Sequence, residues 1–280
     1  MTETVPVLMY HALSTARTAD FHRWTLSAER LARHLEFLAR EGYRTLTISS
    51  LAELLSKGGP RTGERLIALT FDDAYADFGE VALPMLTRYR MTATLFAPTG
   101  YVGGSSGWMC GEGEGDRPIL SWTELTEIAA AGIEIGAHSH THPQLDRVTT
   151  RELTAQVTWP KAELERRLGQ PVRSFAYPYG RYSRRVRDAV AAAGYSAACT
   201  MNSWAATAGS HPLELPRTPV FHHMDAAELA ECLAASRGSA RRTALRAKGT
   251  ALRAKGTARR AALAPARTLR AKTARRTVTA

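Results

Sequence analysis

Three cysteines in 280 residues, Cys110, Cys199 and Cys232, are odd in number and widely separated, which excludes a disulfide framework or a cysteine–zinc site. They read as free thiols. No stretch approaches the roughly 18 uninterrupted apolar residues of a membrane span. Met1 to Thr4 leads into a short apolar run, without the basic start, long apolar segment and small-residue cleavage site of a signal peptide. A chain beginning here is expected in the cytoplasm, and in the secreted or envelope fraction only if its natural start lies upstream. Acids are missing in one place: residues 237–280 hold 14 of the 37 Lys+Arg and no Asp or Glu, leaving 23 basic against 26 acidic residues in 1–236. The formal charge of +11 therefore belongs to a tail on a body of about −3, and says little about what the body binds.

That tail nearly repeats itself, Thr243 to Gly249 returning as Thr250 to Gly256, with one leucine and one glycine per unit. Such a pattern is no coiled coil. It reads as a solvated, disordered basic arm, either a linker or a contact for anionic lipid, nucleic acid or an acidic glycan. The expected organisation is a catalytic domain over 1–236 and the arm over 237–280.

Within the body, 44% hydrophobic content suits a packed core, and strand-like runs alternate with helix-like ones. Val5 to His11 is a first strand ending in histidine; Ser27 to Gly42 and Ile48 to Lys57 carry helical spacing. Ile67 to Phe71 is a strand, Glu80 to Tyr89 a helix containing Pro84, and Thr92 to Ala97 the next strand. Gly100 to Arg117, with seven glycines and no periodicity, is expected as a long functional loop. Ser121 and Glu124 suit a capping box for a helix ending near Gly132. Then come a strand to Ala137, a helix from Thr149 to Leu168 containing Pro160, a short strand at Ser174, a helix from Ser183 to Ala193, and strands at Tyr195 to Thr200 and Leu215 to Phe221. This alternation predicts an α/β protein, a single distorted (β/α) barrel of about seven strands, whose chemistry lies at the strands' carboxyl ends. His11, Asp72, Asp73, His138, His142 and the turn Tyr177 to Gly180 all fall there.

Two stretches invite a chemical reading. Leu69-Thr70-Phe71 ends in Asp72-Asp73, and adjacent residues on an extended chain point to opposite sides, so the two carboxylates suit two tasks. A helix cap or turn pair is the bland alternative. His138-Ser139-His140-Thr141-His142 sets two imidazoles four residues apart, able to face one ion while His140 turns away; a solvated polar loop is the alternative. A carboxylate from another strand would complete a three-ligand face. Zinc is the natural ion, with other divalent metals also compatible. Trp108, Trp122, Tyr179, Tyr182 and Trp204 offer flat rings to a ligand; core packing is the competing role and explains most of them, Trp108 in the glycine-rich loop being the exception.

Together these residues resemble the polysaccharide deacetylases of carbohydrate esterase family 4, which carry a NodB-homology domain. Thr70-Phe71-Asp72-Asp73 is similar to the family's first motif and His138 to His142 to its second, and the likeness runs from about Val5 to Val220. It implies that Asp72 is the general base and that Asp73, His138 and His142 bind a divalent metal, zinc foremost. The third motif departs from the commonest form: Phe175-Ala176-Tyr177-Pro178-Tyr179-Gly180 has Ala176 where many members carry arginine. It resembles the branch containing the poly-N-acetylglucosamine deacetylases, which implies that the backbone N–H of Tyr179 helps hold the oxyanion. Arg217 is then the candidate to steady Asp72, with a purely structural ion pair as the competing role. In that branch the general acid comes from the first strand, here His11 in Met9-Tyr10-His11, whereas His222 and His223 lack the family's terminal Leu-x-His context. A buried or capping histidine is the alternative for His11.

The resemblance implies a metal-dependent hydrolase that removes N-acetyl groups from an amino sugar, glycoside or glycan, with metal-activated water as nucleophile. A related amidohydrolase acting on a non-sugar amide, or a glycan-binding protein with a degenerate site, are the alternatives.

Overall fold

The two most apolar runs form the centre of the sheet. A computed structural model describes residues 3–16, 18–201 and 205–237; Trp204 and all but the first residue of the basic tail lie outside the described residues. Strands β1 (Val5–Tyr10) and β3 (Leu66–Phe71) are buried along their whole length, as parallel strands covered on both faces should be. Around them lie β2 (Arg44–Leu46), β4 (Thr94–Ala97), β5 (Glu134–Ala137), β6 (Ser174–Ala176), β7 (Ala197–Cys199), β8 (Ala205–Ala206) and β9 (Thr218–Pro219). The order is β7-β6-β5-β4-β3-β1-β8, with β2 on β3 and β9 on β1, and all ladders are parallel except β1 with β8.

Register brings the functional strand ends to one level. Tyr10 pairs with Phe71, so His11 and Asp72 follow side by side; Ala97 pairs with Ala137, which precedes His138. Gly136 permits this packing, because a Cβ there would meet Phe96 and Ser174 at 2.5 Å. The sheet curls back on itself through the segment around Arg217. Leu215 donates its N–H to Ala198 O at 2.8 Å and accepts from Thr200 N at 2.8 Å, while β9 lies along Leu8 and Met9 and Val220 N–H donates to Met9 O at 2.9 Å. Arg217 thus rides on the chain that spans the gap between β7 and β1.

The helices are α1 (Ala19–His22), α2 (Ala28–Arg40), α3 (Ile48–Ser56), α4 (Leu83–Arg88), α5 (Trp122–Ala130), α6 (Thr150–Leu168), α7 (Arg184–Ala192) and α8 (Ala226–Arg237). Ser27, Thr47 and Ser183 cap their helices, and Ser121–Glu124 and Thr149–Glu152 form full capping boxes. One segment differs from expectation: the helix read over Glu80 to Tyr89 begins as a π-helical turn at Phe78–Ala82 before α4. Pro160 lies inside α6, within the expected span. α8 runs to Arg237, one residue past the expected end of the folded body. Its approach is fixed by His34, which donates to Met224 O at 3.1 Å and so accepts from Tyr10 Oη at 3.2 Å.

The glycine-rich segment is more ordered than a free loop. It contains 3-10 turns at Thr99–Tyr101 and Gly107–Glu112 and is tied down by a buried ion pair. Arg117 Nε donates to Glu114 Oε2 at 2.7 Å, its Nη atoms reach Ser14 Oγ at 3.0 Å and Thr15 O at 2.8 Å, and Glu114 Oε1 accepts from Thr18 N at 2.7 Å. Asp77 completes the tether by accepting from Leu13 N at 2.9 Å. Removing one partner of such a pair strands the other charge, so Arg117→Met is expected to cost about 3–5 kcal/mol in urea unfolding, with most of the loss recovered by adding Glu114→Gln. A loss below about 1 kcal/mol would mean the pair does not secure the segment.

Candidate metal centre

Asp72 and Asp73 leave β3 in different directions, for a reason other than strand alternation. Asp72 still belongs to the ladder, donating its N–H to Tyr10 O at 3.0 Å, but Asp73 and Ala74 adopt left-handed backbone, with φ of 74° and 51°. The chain turns sharply at Asp73. Six non-glycine residues among those described have positive φ, and five of them, Asp73, Ala74, Ser139, His142 and Tyr179, lie in the loops after β3, β5 and β6. Left-handed backbone at residues with a Cβ is uncommon, and its concentration at strand ends marks a constrained site.

Asp73, His138 and His142 are buried and converge. Asp73 Oδ1 lies 3.5 Å from His138 Nε2 and 3.3 Å from His142 Nε2, and the two imidazole nitrogens are 3.2 Å apart. Tetrahedral coordination with bonds of about 2.0–2.2 Å separates ligand atoms by roughly 3.3–3.6 Å. The triangle therefore fits a metal. Asp73 Oδ1, moreover, is a buried oxygen with no hydrogen-bond donor, an arrangement that needs a positive group nearby. His138 donates Nδ1–H to Ala176 O at 2.8 Å, which leaves the Nε2 lone pair facing the triangle. Burial pushes its pKa down to about 4, against the opposing pull of Asp72, so it is neutral at neutral pH. Burial also raises the cost of charging Asp73, but His142 and His138 outweigh it and hold its carboxyl well below the usual range.

Asp72 is held differently. Arg217, fully buried, donates from Nη1 to Oδ1 at 2.6 Å and from Nη2 to Oδ2 at 2.8 Å. Its Nε and Nη1 are anchored on Thr200 O and Thr70 Oγ1, both at 3.2 Å. Burial opposes ionisation of Asp72, yet Arg217, His138 and His11 together keep the carboxyl below its ordinary pKa. His11 Nε2 is 3.9 Å from Asp72 Oδ2, and its Nδ1 is buried without a hydrogen bond. Burial lowers the His11 pKa, against the opposing pull of Asp72 and Asp73. His222 lies elsewhere: its ring packs on His22 at 4.2 Å and on His223 at 5.2 Å.

The turn after β6 completes one wall. Tyr179 and Gly180 are both left-handed, with φ of 59° and 63°, and the Gly180 and Arg181 N–H groups close the turn onto Tyr177 O at 2.8 Å and Pro178 O at 3.1 Å. At Gly180 a Cβ would meet the Met201 side chain at 2.7 Å. The Tyr179 ring lies 4.7 Å and the Trp108 ring 5.0 Å from that of His142. Trp122 is placed elsewhere, under the Arg167 guanidinium at 5.1 Å, and Tyr182 stacks on Tyr177 at 4.9 Å. Trp24 had no motif to signal it, yet its ring lies 4.8 Å from that of His11. His140 does turn away, toward Thr99 Oγ1 at 3.0 Å and Trp159.

A family model described as polysaccharide deacetylase matches residues 59–198, a span that includes both aspartates and both histidines but neither His11 nor Arg217. The chain is 28% identical over 203 residues to YxkH of Bacillus subtilis, whose polysaccharide deacetylase name is itself provisional; the match covers 72% of this chain and 66% of YxkH. The chain thus matches just under two thirds of that relative. It is 24% identical over 218 residues to the poly-β-1,6-N-acetyl-D-glucosamine N-deacetylase of Staphylococcus aureus, covering 73% of this chain and 72% of that one. Among solved structures, the Streptococcus pyogenes deacetylase PplD in complex with acetate superposes with a TM-score of 0.71 at 26% identity, covering 83% of this chain and 99% of that one.

Arg217→Met should expose the balance at Asp72. With the guanidinium gone, burial predominates and the carboxyl pKa rises, readable by carbon NMR titration of the metal-free protein. In the parent, the depressed pKa contributes stability above the unfolded value of about 3.9 and loses it as pH falls through the folded value. In the variant the sign reverses: about 3–5 kcal/mol is lost at neutral pH and stability recovers as Asp72 protonates. An unshifted Asp72 pKa would remove Arg217 from this role.

Proposed function

Because the chain belongs to the polysaccharide deacetylase family, we propose that it hydrolyses the N-acetyl groups of an amino sugar or glycan, using a divalent ion, zinc foremost, held by Asp73, His138 and His142. The observation that carries this reading is the triangle of 3.2, 3.3 and 3.5 Å between their ligand atoms, with an ionised Asp72 beside it. When bound, the ion supplies Lewis acidity to water and to the acetyl carbonyl.

The remaining work falls to side chains and backbone. Asp72 takes the proton of the attacking water; Arg217 keeps it ionised and fixes its plane by gripping both oxygens. The grip lowers basicity, and in exchange Asp72 is always in its accepting form at neutral pH. The Tyr179 N–H receives the oxyanion at the left-handed turn. His11, 3.9 Å from Asp72, passes to the departing amine the proton that Asp72 has taken from water. Trp108, lying on His142, presents a ring to the sugar. The variant third motif and the first-strand histidine support placing the chain in the branch of the poly-N-acetylglucosamine deacetylases. Residues 1–236 form the catalytic unit in this reading.

A panel of N-acetylated sugars and oligosaccharides set against linear and cyclic amides tests the substrate class by acetate release. Asp72→Asn is expected to keep the metal and lose about 10²–10⁴ in turnover, whereas His138→Ala loses the metal itself, read by atomic emission. Near-normal turnover in Asp72→Asn would overturn the base assignment. Removal of residues 238–280 should leave turnover of a small soluble substrate intact; if turnover is lost, the tail is part of the enzyme.

A further inference from the structure

Beside the proposed active site lies a group of exposed arginines that, among the described residues, have no carboxylate within ion-pair distance. Arg185 donates from Nη2 to Val148 O at 2.8 Å and reaches Thr150 Oγ1 from Nη1 at 3.5 Å, which brings the start of α7 against the end of the loop that carries the metal histidines. Arg147 and Arg151 flank that contact on one chain and Arg184 adjoins it on the other; all four side chains are exposed. The nearby acids are already engaged. Asp146 takes Arg181 at 3.0 Å, Glu152 is turned back onto Thr149 by its capping box, and Asp188 and Glu214 both take Arg187. Six arginines, Arg147, Arg151, Arg181, Arg184, Arg185 and Arg187, thus stand against four carboxylates, Asp146, Glu152, Asp188 and Glu214, an excess of two positive charges on one edge of a body whose net charge is about −3.

The place of this cluster decides its partner. Arg181 is two residues beyond Tyr179, and Asp146 is four beyond His142, so the Arg181–Asp146 pair joins the oxyanion turn to the metal loop, and the arginine edge continues outward from that junction. Sugars neighbouring one bound at the metal site would reach this edge. Guanidinium groups recognise carboxylate and phosphate oxygens through paired N–H donors. Resting on the deacetylase reading, we infer that the substrate is an anionic glycan, carrying carboxylate or phosphodiester groups on sugars neighbouring the acetylated one, and that Arg147, Arg151 and Arg184 receive those groups.

The test uses the metal-loaded full chain and three N-acetylated oligosaccharides of equal length: neutral, uronate-bearing and phosphodiester-bearing. The anionic substrates are expected to show the lower KM, and the difference should collapse between about 0.1 M and 1 M salt, as the screening length contracts from roughly 10 Å to 3 Å. The double variant Arg147→Glu/Arg184→Glu should raise KM for the preferred anionic substrate by about five- to tenfold, with kcat and the neutral substrate unchanged. Which anion wins identifies the substituent. Equal KM for all three, or an anionic KM untouched by the double variant, overturns the inference while leaving deacetylation standing. If none of the three releases acetate, the deacetylase reading falls, and calorimetry with an oligouronate then decides: affinity lost in the double variant upholds the anion site, and unchanged affinity, or tighter binding to duplex DNA or anionic phospholipid vesicles, refutes it.

Discussion

The bidentate pair of Arg217 with Asp72 is the interaction on which the rest of this site depends. Both groups are almost wholly removed from water, and each would be untenable alone. The pair requires the sheet to curl, because Arg217 lies on the segment that hydrogen-bonds to β7 at one end and β1 at the other. It also explains how a buried carboxylate can stay charged beside three histidines. Where a relative carries arginine in its third motif, this chain has Ala176, whose carbonyl instead orients His138. Closing the fold and steadying the proposed base are thus one interaction.

A second constraint is backbone strain at the rim. Left-handed residues at Asp73, Ser139, His142 and Tyr179 turn the chain abruptly after β3, β5 and β6, so the side chains converge instead of continuing along their strands. Such conformations persist only where surrounding structure over-determines them. The buried Glu114–Arg117 pair, the Asp77 tether and the Asp146–Arg181 pair supply that surrounding structure. These three contacts thus help to hold a few backbone turns in place.

Much of this was legible in the sequence, for physical reasons that differ from element to element. β1, β3 and β5 announce themselves as apolar runs ending in polar residues, since strands buried on both faces have little else they can be. The spacing of His138 and His142 was informative because a compact loop converts it directly into proximity. The separation of Asp72 from Asp73 was expected for another reason than the one found, since a left-handed turn replaces the alternation of an extended strand. β2 and β8 are too short to show a period, and α8 and α1 were not read at all. Glu114 and Arg117 lie in a glycine-rich stretch where no pattern distinguishes a buried ion pair from solvated charges. Arg217 could be named as a candidate, but its pairing with a residue so distant in sequence follows only from how the sheet closes.

In the proposed site Asp73, His138 and His142 hold one divalent ion, with Asp72 next to it and an acetylated amino sugar above. The most direct measurement is an anomalous-difference map at the zinc edge from crystals soaked with zinc and an N-acetylated amino sugar. One strong peak is expected, bonded to Asp73 and to Nε2 of His138 and His142, with the acetyl group against it on the Asp72 side. A map with no peak there, or with the metal bonded to Asp72 in place of Asp73, would contradict this assignment.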